Sequence, residues 1–184
     1  MVQPGVFSPK NTISTKVFLD YITSLDLHQK SVLELGCGSG ILSIQSAFQG
    51  ARVTASDINP KAIDSVEIIA KKQGLHVLGV LSDLLEKLQG HEFDYIFINP
   101  PYYPKKPHNL EENAWFCGEN FEFFQKMFLH FSGIDTQKVK LLMILSDACD
   151  LDAITKIAKA NQLQLKEVHR VQLTFEVNSI YRIA

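Results

Sequence analysis

Short apolar runs alternate along the chain with amphipathic segments, and this alternation limits the possible folds more than any other feature. The runs are rich in β-branched or aromatic residues, and several are apolar throughout, as strands covered on both faces require. They are SVLEL (31–35), ARVTAS (51–56), HVLGVL (76–81), FDYIFI (93–98) and VKLLMIL (139–145). Because strands that alternate with helices form right-handed βαβ units, we predict an open, mostly parallel α/β sheet.

The segments between and after these strands carry helix and strand signals of their own. Asn59 and Pro60 provide an N-cap and a first-turn proline for a helix that ends at Gly74. Phenylalanines at helical spacing predict a second helix over 119–132, with core packing favoured over base stacking. A third helix is predicted from about residue 149, and the alternating pattern after it predicts two closing strands.

The composition is that of an ordinary soluble protein. The 184 residues suffice for one domain, and hydrophobic and charged residues make up 46% and 21% of them. A net charge of −2 with three arginines weakens a nucleic-acid-binding role without excluding it. The N-terminal stretch lacks the features of a secretory signal, and the longest apolar run, LLMIL, is too short to cross a bilayer. We therefore expect a cytoplasmic protein with no membrane association.

The cysteines and histidines indicate neither a disulfide framework nor a metal site. The three cysteines, Cys37, Cys117 and Cys149, are far apart and form no CxxC pair. The six histidines fall at no metal-ligand spacing, so we predict no metal. Cys37 lies in a glycine-rich turn with no marked histidine partner, and we interpret it as a small residue tolerated there rather than as a nucleophile.

The glycine-rich stretch ELGCGSG (34–40) directly follows the first predicted strand and opens a helix. Gly36, Gly38 and Gly40 allow a tight turn and a close approach of the backbone to a ligand. The dinucleotide fingerprint would need glycine or alanine at position 41, where this chain has Ile41, and no lysine of a phosphate-binding P-loop follows. A purely structural turn is the alternative interpretation.

Two aspartates end the next two predicted strands at the same edge of the sheet. Asp57 lies about twenty residues after the first glycine, where its carboxylate can accept hydrogen bonds from both ribose hydroxyls. Helix capping is the alternative, but Asn59 already fits that role. Asp83 could accept the exocyclic amine of an adenine or cap a helix before Leu84, and the sequence leaves both open. These strand ends predict a pocket for an adenosine-bearing ligand without a pyrophosphate.

The tetrapeptide NPPY (99–102) follows the fourth predicted strand. Each proline fixes its own φ and restricts the residue before it, so the turn is rigid before a ligand arrives. The side-chain oxygen of Asn99 and the carbonyl of Pro100 could each accept one N–H of a planar NH₂ group, and Tyr102 could stack on that group. This arrangement would orient the nitrogen lone pair toward a methyl sulfonium without a covalent intermediate.

Together, ELGCGSG, Asp57 in ASDINP, Asp83 in SDLL, and NPPY resemble the class I S-adenosylmethionine-dependent methyltransferases. The chain is most similar to the HemK-like enzymes, which methylate the glutamine side-chain amide of release factors. The resemblance implies a Rossmann-like, mostly parallel seven-stranded sheet with helices on both faces and an antiparallel C-terminal strand. It assigns S-adenosylmethionine to Thr15, Glu34, Gly36, Cys37, Gly38, Ser39, Gly40, Asp57, Ile58, Asp83, Leu84 and Asn99. It assigns the acceptor to Asn99, Pro100, Pro101, Tyr102 and Tyr103, with Asn99, Pro100 and Tyr102 as catalytic residues.

The same resemblance implies how the chain is organised. We expect residues 1–184 to form a single methyltransferase domain, with 1–30 closing over the cofactor and 103–118 as a substrate loop. Bacterial release-factor methyltransferases usually carry an N-terminal helical domain, whereas this short form looks like the eukaryotic-type relative that works with a partner subunit. Cys117 and Phe121 stand where the family tends to have glycines, which leaves the acceptor open.

The predicted activity is therefore N-methylation of a planar NH₂ group, with a release-factor-like protein glutamine as the leading acceptor. Adenine or guanine in DNA or RNA is the alternative, and a non-catalytic cofactor-binding scaffold is a further one. Lys105, Lys106, His108 and Trp115 follow the tetrapeptide and could contact either kind of acceptor. Adjacent glutamates reduce the positive charge of this loop, which favours a protein substrate.

Overall fold

The computed structural model describes Val6, residues 12–174 and residues 176–184. Its helices and strands alternate through most of the chain, and a short 3-10 helix, Glu112–Ala114, lies in the long loop after the fourth strand. In chain order the elements are α1 (Ile13–Thr23), β1 (Ser31–Leu35), α2 (Ile41–Phe48), β2 (Arg52–Asp57), α3 (Pro60–Lys72), β3 (Val77–Leu81), β4 (Tyr95–Ile98), α4 (Glu122–Phe131), β5 (Lys140–Ser146), α5 (Leu151–Ala160), β6 (Leu165–Gln172) and β7 (Val177–Ile183).

The seven strands form one sheet in the order β3-β2-β1-β4-β5-β7-β6. Strands β1 to β5 pair in parallel, and β7 is inserted antiparallel between β5 and β6. The predicted Rossmann-like, mostly parallel sheet with an antiparallel C-terminal strand is therefore confirmed. The strand order reverses between β1 and β4, and in sheets of this kind a ligand binds beyond the carboxyl ends of the strands at that point.

Helices cover both faces of the sheet and bury one apolar cluster on each. On one face α1, α2 and α3 pack on alternate strand residues such as Val32 and Phe97, and on the other α4 and α5 pack on Leu33 and Ile98. This two-sided burial explains why the predicted strands read as continuous apolar runs. Within the described ranges, no helix is long and apolar enough to span a membrane.

Several elements differ from the sequence prediction, among them α1, α4 and β4. Helix α1 was not predicted as a helix, yet its Phe18 and Ile22 are fully buried against the sheet. Helix α4 begins at Glu122 rather than 119, because its N-cap residue Phe121 adopts a left-handed conformation with a φ of 61°. Strand β4 begins two residues later than predicted, and the Asp94 carboxylate before it accepts the backbone N–H of Ser31 at 2.8 Å.

Candidate functional site

A cleft of about 660 Å³ lies beyond the carboxyl ends of β1, β2, β3 and β4. Its volume is within the usual range for small-molecule sites, about 300–1,000 Å³. Of the residues predicted from sequence, Gly40 does not line this cleft. Those that do are Thr15, Glu34, Gly36, Cys37, Gly38, Ser39, Asp57, Ile58, Asp83, Leu84, Asn99, Pro100, Pro101, Tyr102 and Tyr103.

The glycine-rich loop between β1 and α2 is fixed by backbone hydrogen bonds. The N–H of Cys37 donates to the carbonyl of Ser56 at 2.8 Å, and the N–H of Gly40 donates to the carbonyl of Cys37 at 2.7 Å. The Cys37 side chain is buried, which raises the pKa of its thiol well above the ordinary value. A thiol held in its neutral form is a poor nucleophile, as the predicted packing role requires.

Two glycines of this loop are needed for different reasons. Both Gly36 and Gly40 adopt left-handed backbone conformations, with φ of 70° and 72°. A Cβ at Gly36 would meet no atom within 4 Å, so this glycine leaves space open at the cleft. A Cβ at Gly40 would lie 2.2 Å from Cγ2 of Val66. Gly40 therefore serves the close packing of the loop on α3 and is not among the residues that line the cleft, so its predicted contact with the cofactor stays a prediction.

Asp57 braces the glycine loop from the end of β2. Its Oδ2 accepts the backbone N–H of Gly38 at 2.8 Å, and its Oδ1 accepts that of Asn59 at 2.8 Å. Burial raises the pKa of this carboxyl. The side chain of Asn59 caps α3 by accepting the N–H of Lys61 at 3.0 Å, so the capping role belongs to Asn59 as expected.

Glu34 ties the end of β1 to the first turn of α2. Its Oε2 accepts both the backbone N–H of Ser43, at 2.7 Å, and the Ser43 hydroxyl. Burial raises the pKa of Glu34 to about 8. The carboxyl is therefore mostly protonated at neutral pH, although it lines a cleft that opens to solvent. Ser43 was not identified from the sequence, because a side-chain bond across nine residues leaves no periodic signal.

Asp83 is held by a lysine of α4 that also lines the cleft. Nζ of Lys126, on α4, lies 2.5 Å from Oδ2 of Asp83 and 2.7 Å from Oε1 of Glu86. Residues 84–87 form a turn, and the backbone of Leu84 is left-handed with a φ of 48°. Because no helix begins after Asp83, the helix-capping alternative is wrong. Lys126 is 43 residues away in sequence, which is why the sequence did not identify it.

The side chain of Asn99 is anchored to the N-terminal helix. Its Nδ2 donates to Oγ1 of Thr15 at 3.1 Å, and Oγ1 of Thr12 donates to the same Thr15 oxygen at 2.8 Å. Thr15 is 4% exposed. Among the described residues, Oδ1 of Asn99 has no hydrogen-bond partner. The amide is thus turned so that its acceptor atom is available to a ligand in the cleft.

The hydroxyl of Tyr102 lies near Ser146, the last residue of β5. Burial raises the pKa of the Tyr102 hydroxyl to about 12, and the nearby Ser146 side chain offsets part of that rise. The ring centroid of Tyr102 lies 4.8 Å from that of Tyr103, with the two planes at 52°. The tyrosine is therefore a neutral, partly buried aromatic surface in the wall of the cleft.

Residues 103–118 form a loop whose two ends are joined. The N–H of Tyr103 donates to the carbonyl of Trp115 at 3.1 Å, and the N–H of Cys117 donates to the carbonyl of Tyr103 at 2.9 Å. A further bond of 3.1 Å links the N–H of Gly118 to the carbonyl of Lys105, whose ammonium lies 4.8 Å from the Phe116 ring centroid. These contacts hold the loop against the mouth of the cleft.

Cys117 and Phe121 stand where the family tends to have glycines, and the structure fits each of them in a different way. Cys117 is buried, and its Sγ lies 3.3 Å from the carbonyl of Tyr103, with the thiol pKa raised to about 11 by burial. Phe121 adopts the left-handed conformation that glycine adopts freely and that L side chains rarely do. The backbone geometry at position 121 is thus the one that a glycine in the family pattern would favour.

The rim of the cleft combines exposed apolar side chains with a slight excess of acid. Tyr103, Leu110 and Trp115 line the cleft and are 41%, 48% and 44% exposed. Between residues 103 and 122 the chain has two lysines against four glutamates. In the part of the chain that the structure describes, no three His, Cys, Asp or Glu side chains are grouped so as to hold a metal ion.

Comparison with known proteins gives relatives with several different acceptors. The chain is 41% identical over 81 residues to a "putative protein N5-glutamine methyltransferase" of Methanocaldococcus jannaschii, covering 44% of this chain and 41% of that protein. It is 38% identical over 98 residues to the ribosomal protein L11 methyltransferase of Acinetobacter baumannii, covering 52% and 31%. A ribosomal RNA small subunit methyltransferase also matches. The chain thus spans less than half the length of these curated relatives.

A solved structure supports the fold over nearly the whole chain. The Mtq2–Trm112 complex of E. cuniculi, described as responsible for methylation of the termination factor eRF1, matches with a TM-score of 0.71 and 18% identity. The match covers 97% of this chain and 98% of that one. At this identity the likeness shows the fold alone.

The family itself is shown by a sequence model. The model that matches residues 1–115 is described as the methyltransferase small domain. With the glutamine methyltransferase relative, this match confirms the predicted resemblance to the HemK-like class I methyltransferases. The glycine-rich loop, both strand-end aspartates and NPPY all fall within the matched residues. The chain belongs to the methyltransferase small domain family.

Proposed function

We propose that the protein transfers a methyl group from S-adenosylmethionine to the side-chain amide of a protein glutamine. The observation that carries this proposal is the Asn99 side chain, whose Nδ2 is held by Thr15 while Oδ1 is left available beside Pro100 in the cleft. An amide oxygen and a proline carbonyl at one point of a cleft are two acceptors suited to the two N–H groups of a planar amide.

The cofactor half of the cleft fits S-adenosylmethionine by its shape and its hydrogen-bond acceptors. Gly36 leaves open space where a Cβ would intrude, and Asp57 and Asp83 place carboxylates at the ends of β2 and β3. These carboxylates are suited to ribose hydroxyls and to an adenine amine, respectively. The bound cofactor would supply an electrophilic methyl group on a sulfonium.

The residues at the acceptor end would activate the nitrogen by orientation and electrostatics. Acceptance of one N–H by Asn99 Oδ1 and of the other by the Pro100 carbonyl would localise the nitrogen lone pair and direct it across the cleft. Tyr102 would stack on the planar amide, and its hydroxyl stays neutral because its pKa is about 12. No side chain has to remove a proton before the methyl group is transferred, because the methylated nitrogen would lose its extra proton to solvent afterwards.

The rim of the cleft and one relative favour a protein acceptor. A rim with two lysines and four glutamates offers little attraction to a phosphate backbone, whereas the exposed Tyr103, Leu110 and Trp115 can contact a polypeptide. The relative described as a glutamine methyltransferase supports the same acceptor. In this proposal the 103–118 loop contacts the protein substrate.

A nucleobase is the second candidate acceptor. The exocyclic amines of adenine and guanine are also planar NH₂ groups, so Asn99 and Pro100 suit them equally well, and a ribosomal RNA methyltransferase is among the relatives.

A small partner subunit is part of the leading proposal, because the structurally similar Mtq2 forms a complex with Trm112. A non-catalytic scaffold is disfavoured, since such a protein would not need an oriented Asn99.

The test is methyl transfer from radiolabelled S-adenosylmethionine to a release factor or to ribosomal RNA, offered in parallel. We expect label on the release factor, and we expect Asn99→Ala to lower the rate about 100-fold or more, because an oriented hydrogen bond at the reacting group is lost. Asn161→Ala is the matched control, since the Asn161 side chain bonds to the Ile157 carbonyl away from the cleft.

The outcomes separate the acceptors. Label on RNA alone would overturn the glutamine proposal and favour the nucleobase. If Asn99→Ala retained full activity, the proposed role of the tetrapeptide would be wrong. If no acceptor were labelled and S-adenosylhomocysteine failed to raise the melting temperature, the cofactor assignment would also be wrong.

A further inference from the structure

The N-terminal helix supplies a hydroxyl to the tetrapeptide that follows β4. Thr15 lies in the first turn of α1, is 4% exposed, and is 84 residues from Asn99 in sequence. Its Oγ1 receives the Nδ2 hydrogen bond of Asn99 at 3.1 Å and the hydroxyl hydrogen bond of Thr12 at 2.8 Å. Two donors thus converge on one buried hydroxyl oxygen next to the candidate catalytic amide.

An asparagine amide needs such an anchor if its orientation matters. Rotation about its terminal torsion is broad and nearly two-fold, so the oxygen and the NH₂ group exchange places at little cost when nothing holds them. In the proposed reaction only the oxygen can accept an N–H from the acceptor. An Asn99 side chain turned the other way would direct its own N–H groups at those of the acceptor.

We infer that Thr15 is a positioning residue, which holds the Asn99 amide with Oδ1 toward the acceptor. This inference rests on the proposed function and deepens it, because the family resemblance implies only a cofactor contact for Thr15. The N-terminal helix then contributes to the acceptor side of the reaction. Loss of the Thr15 hydroxyl slows transfer while leaving the affinity for the cofactor intact.

The kinetic test uses two substitutions at Thr15 and one control. Thr15→Val keeps the shape of the buried side chain and removes its hydroxyl, and we expect kcat to fall about tenfold, the upper range for loss of one neutral hydrogen bond. Thr15→Ser keeps the hydroxyl and restores most of the rate. Thr23→Val is the matched control, because Thr23 is on the same helix and its hydroxyl bonds to the Leu19 carbonyl at an exposed site.

The affinity for S-adenosylhomocysteine, measured by calorimetry, distinguishes positioning from cofactor contact. We expect the dissociation constant of Thr15→Val to stay within twofold of the wild-type value. If affinity fell as much as the rate, Thr15 would act on the cofactor and the inference would be overturned. An unchanged kcat in Thr15→Val would overturn it as well.

A measurement without any acceptor keeps this inference separate from the proposed function. The side-chain amide resonances of Asn99, assigned by their loss in Asn99→Ala, report its hydrogen bond directly in ¹H–¹⁵N spectra. We expect them to shift in Thr15→Val and to return toward their wild-type positions in Thr15→Ser. If they did not shift, the positioning role would be wrong even in an active enzyme. If they did shift while no acceptor is methylated, the proposed function would fail and the contact would stand.

Discussion

The two ends of the cleft are built in contrasting ways. At the cofactor end, the buried Glu34 and the half-buried Asp57 are fixed by short hydrogen bonds to the backbone of Ser43 and Gly38. The acceptor end is a long loop whose exposed aromatic residues are held by a few bonds between Tyr103 and residues 115–117. Asn99 lies between the two, anchored from α1.

This difference indicates which residues of the site tolerate substitution and which do not. Buried carboxyls with raised pKa values and left-handed glycines tolerate little change, because each replacement disturbs packing or leaves a buried polar group without a partner. Exposed loop residues can change with little effect on the fold. The cofactor end is thus suited to one ligand, and the acceptor end can be adapted to different substrates.

The largest expected effect on the free energy of unfolding comes from a substitution at the cofactor end. Gly40→Ala should destabilise the protein by about 2–5 kcal/mol, because it combines a left-handed alanine with a clash against Val66. Gly36→Ala is the matched variant, since its Cβ meets open space. It should cost only about 1 kcal/mol of backbone strain while weakening S-adenosylhomocysteine binding. Urea unfolding and calorimetry would measure both, and equal stabilities of the two variants would contradict the assignment.

The second effect is a pH dependence of stability that comes from Glu34. Its pKa is about 8 in the folded protein against an ordinary value of 4.5, so between these values the unfolded chain releases a proton that the folded protein keeps. The free energy of unfolding should therefore fall as pH rises from 4.5 to 8, by up to about 1.4 kcal/mol per pH unit from this group. Glu34→Gln should flatten the slope in urea unfolding at several pH values.

The control for that measurement is Glu111→Gln, which changes an exposed carboxyl on the loop. This variant should keep the wild-type slope. A wild-type slope in Glu34→Gln would mean that Glu34 is ionised in the folded protein. Asp57, whose pKa is also raised by burial, should contribute a dependence of the same sign.

The smallest effect on the fold is expected at the acceptor end. Trp115→Ala should change the free energy of unfolding by less than about 1 kcal/mol, because the side chain is 44% exposed. It should raise KM for the protein acceptor several-fold and leave the affinity for S-adenosylhomocysteine unchanged. Leu129→Ala, on the outer face of α4 with Leu129 66% exposed, is the control. A weakened affinity for S-adenosylhomocysteine in Trp115→Ala would show that the two ends are not independent.

The sequence predicted the fold and most of the cleft lining, because those signals are local. Strand β1 has the predicted bounds, and the motifs follow strand ends whose common edge is dictated by the parallel sheet. Asn59 caps α3 as its position before Pro60 predicts. Each of these features depends on residues that are adjacent or one helical turn apart.

The remaining features depend on contacts that leave no local pattern. The pairs Thr15–Asn99 and Asp83–Lys126 join residues 84 and 43 positions apart, and only the folded chain brings them together. The start of α4 was misplaced because Phe121 has helical spacing but a left-handed backbone. Helix α1 was not predicted, although Phe18 and Ile22, one helical turn apart, are its fully buried residues.

The inserted strand β7 has a consequence for how the protein is made. Strands β1 to β5 can pair in the order in which they leave the ribosome, but β5 gains its second neighbour only after residues 177–183 have been synthesised. Ser146, whose side chain lies near the Tyr102 hydroxyl, pairs with Asn178 of that late strand. The cofactor end can thus form on a growing chain, whereas the tetrapeptide acquires its full support only once β7 has been translated.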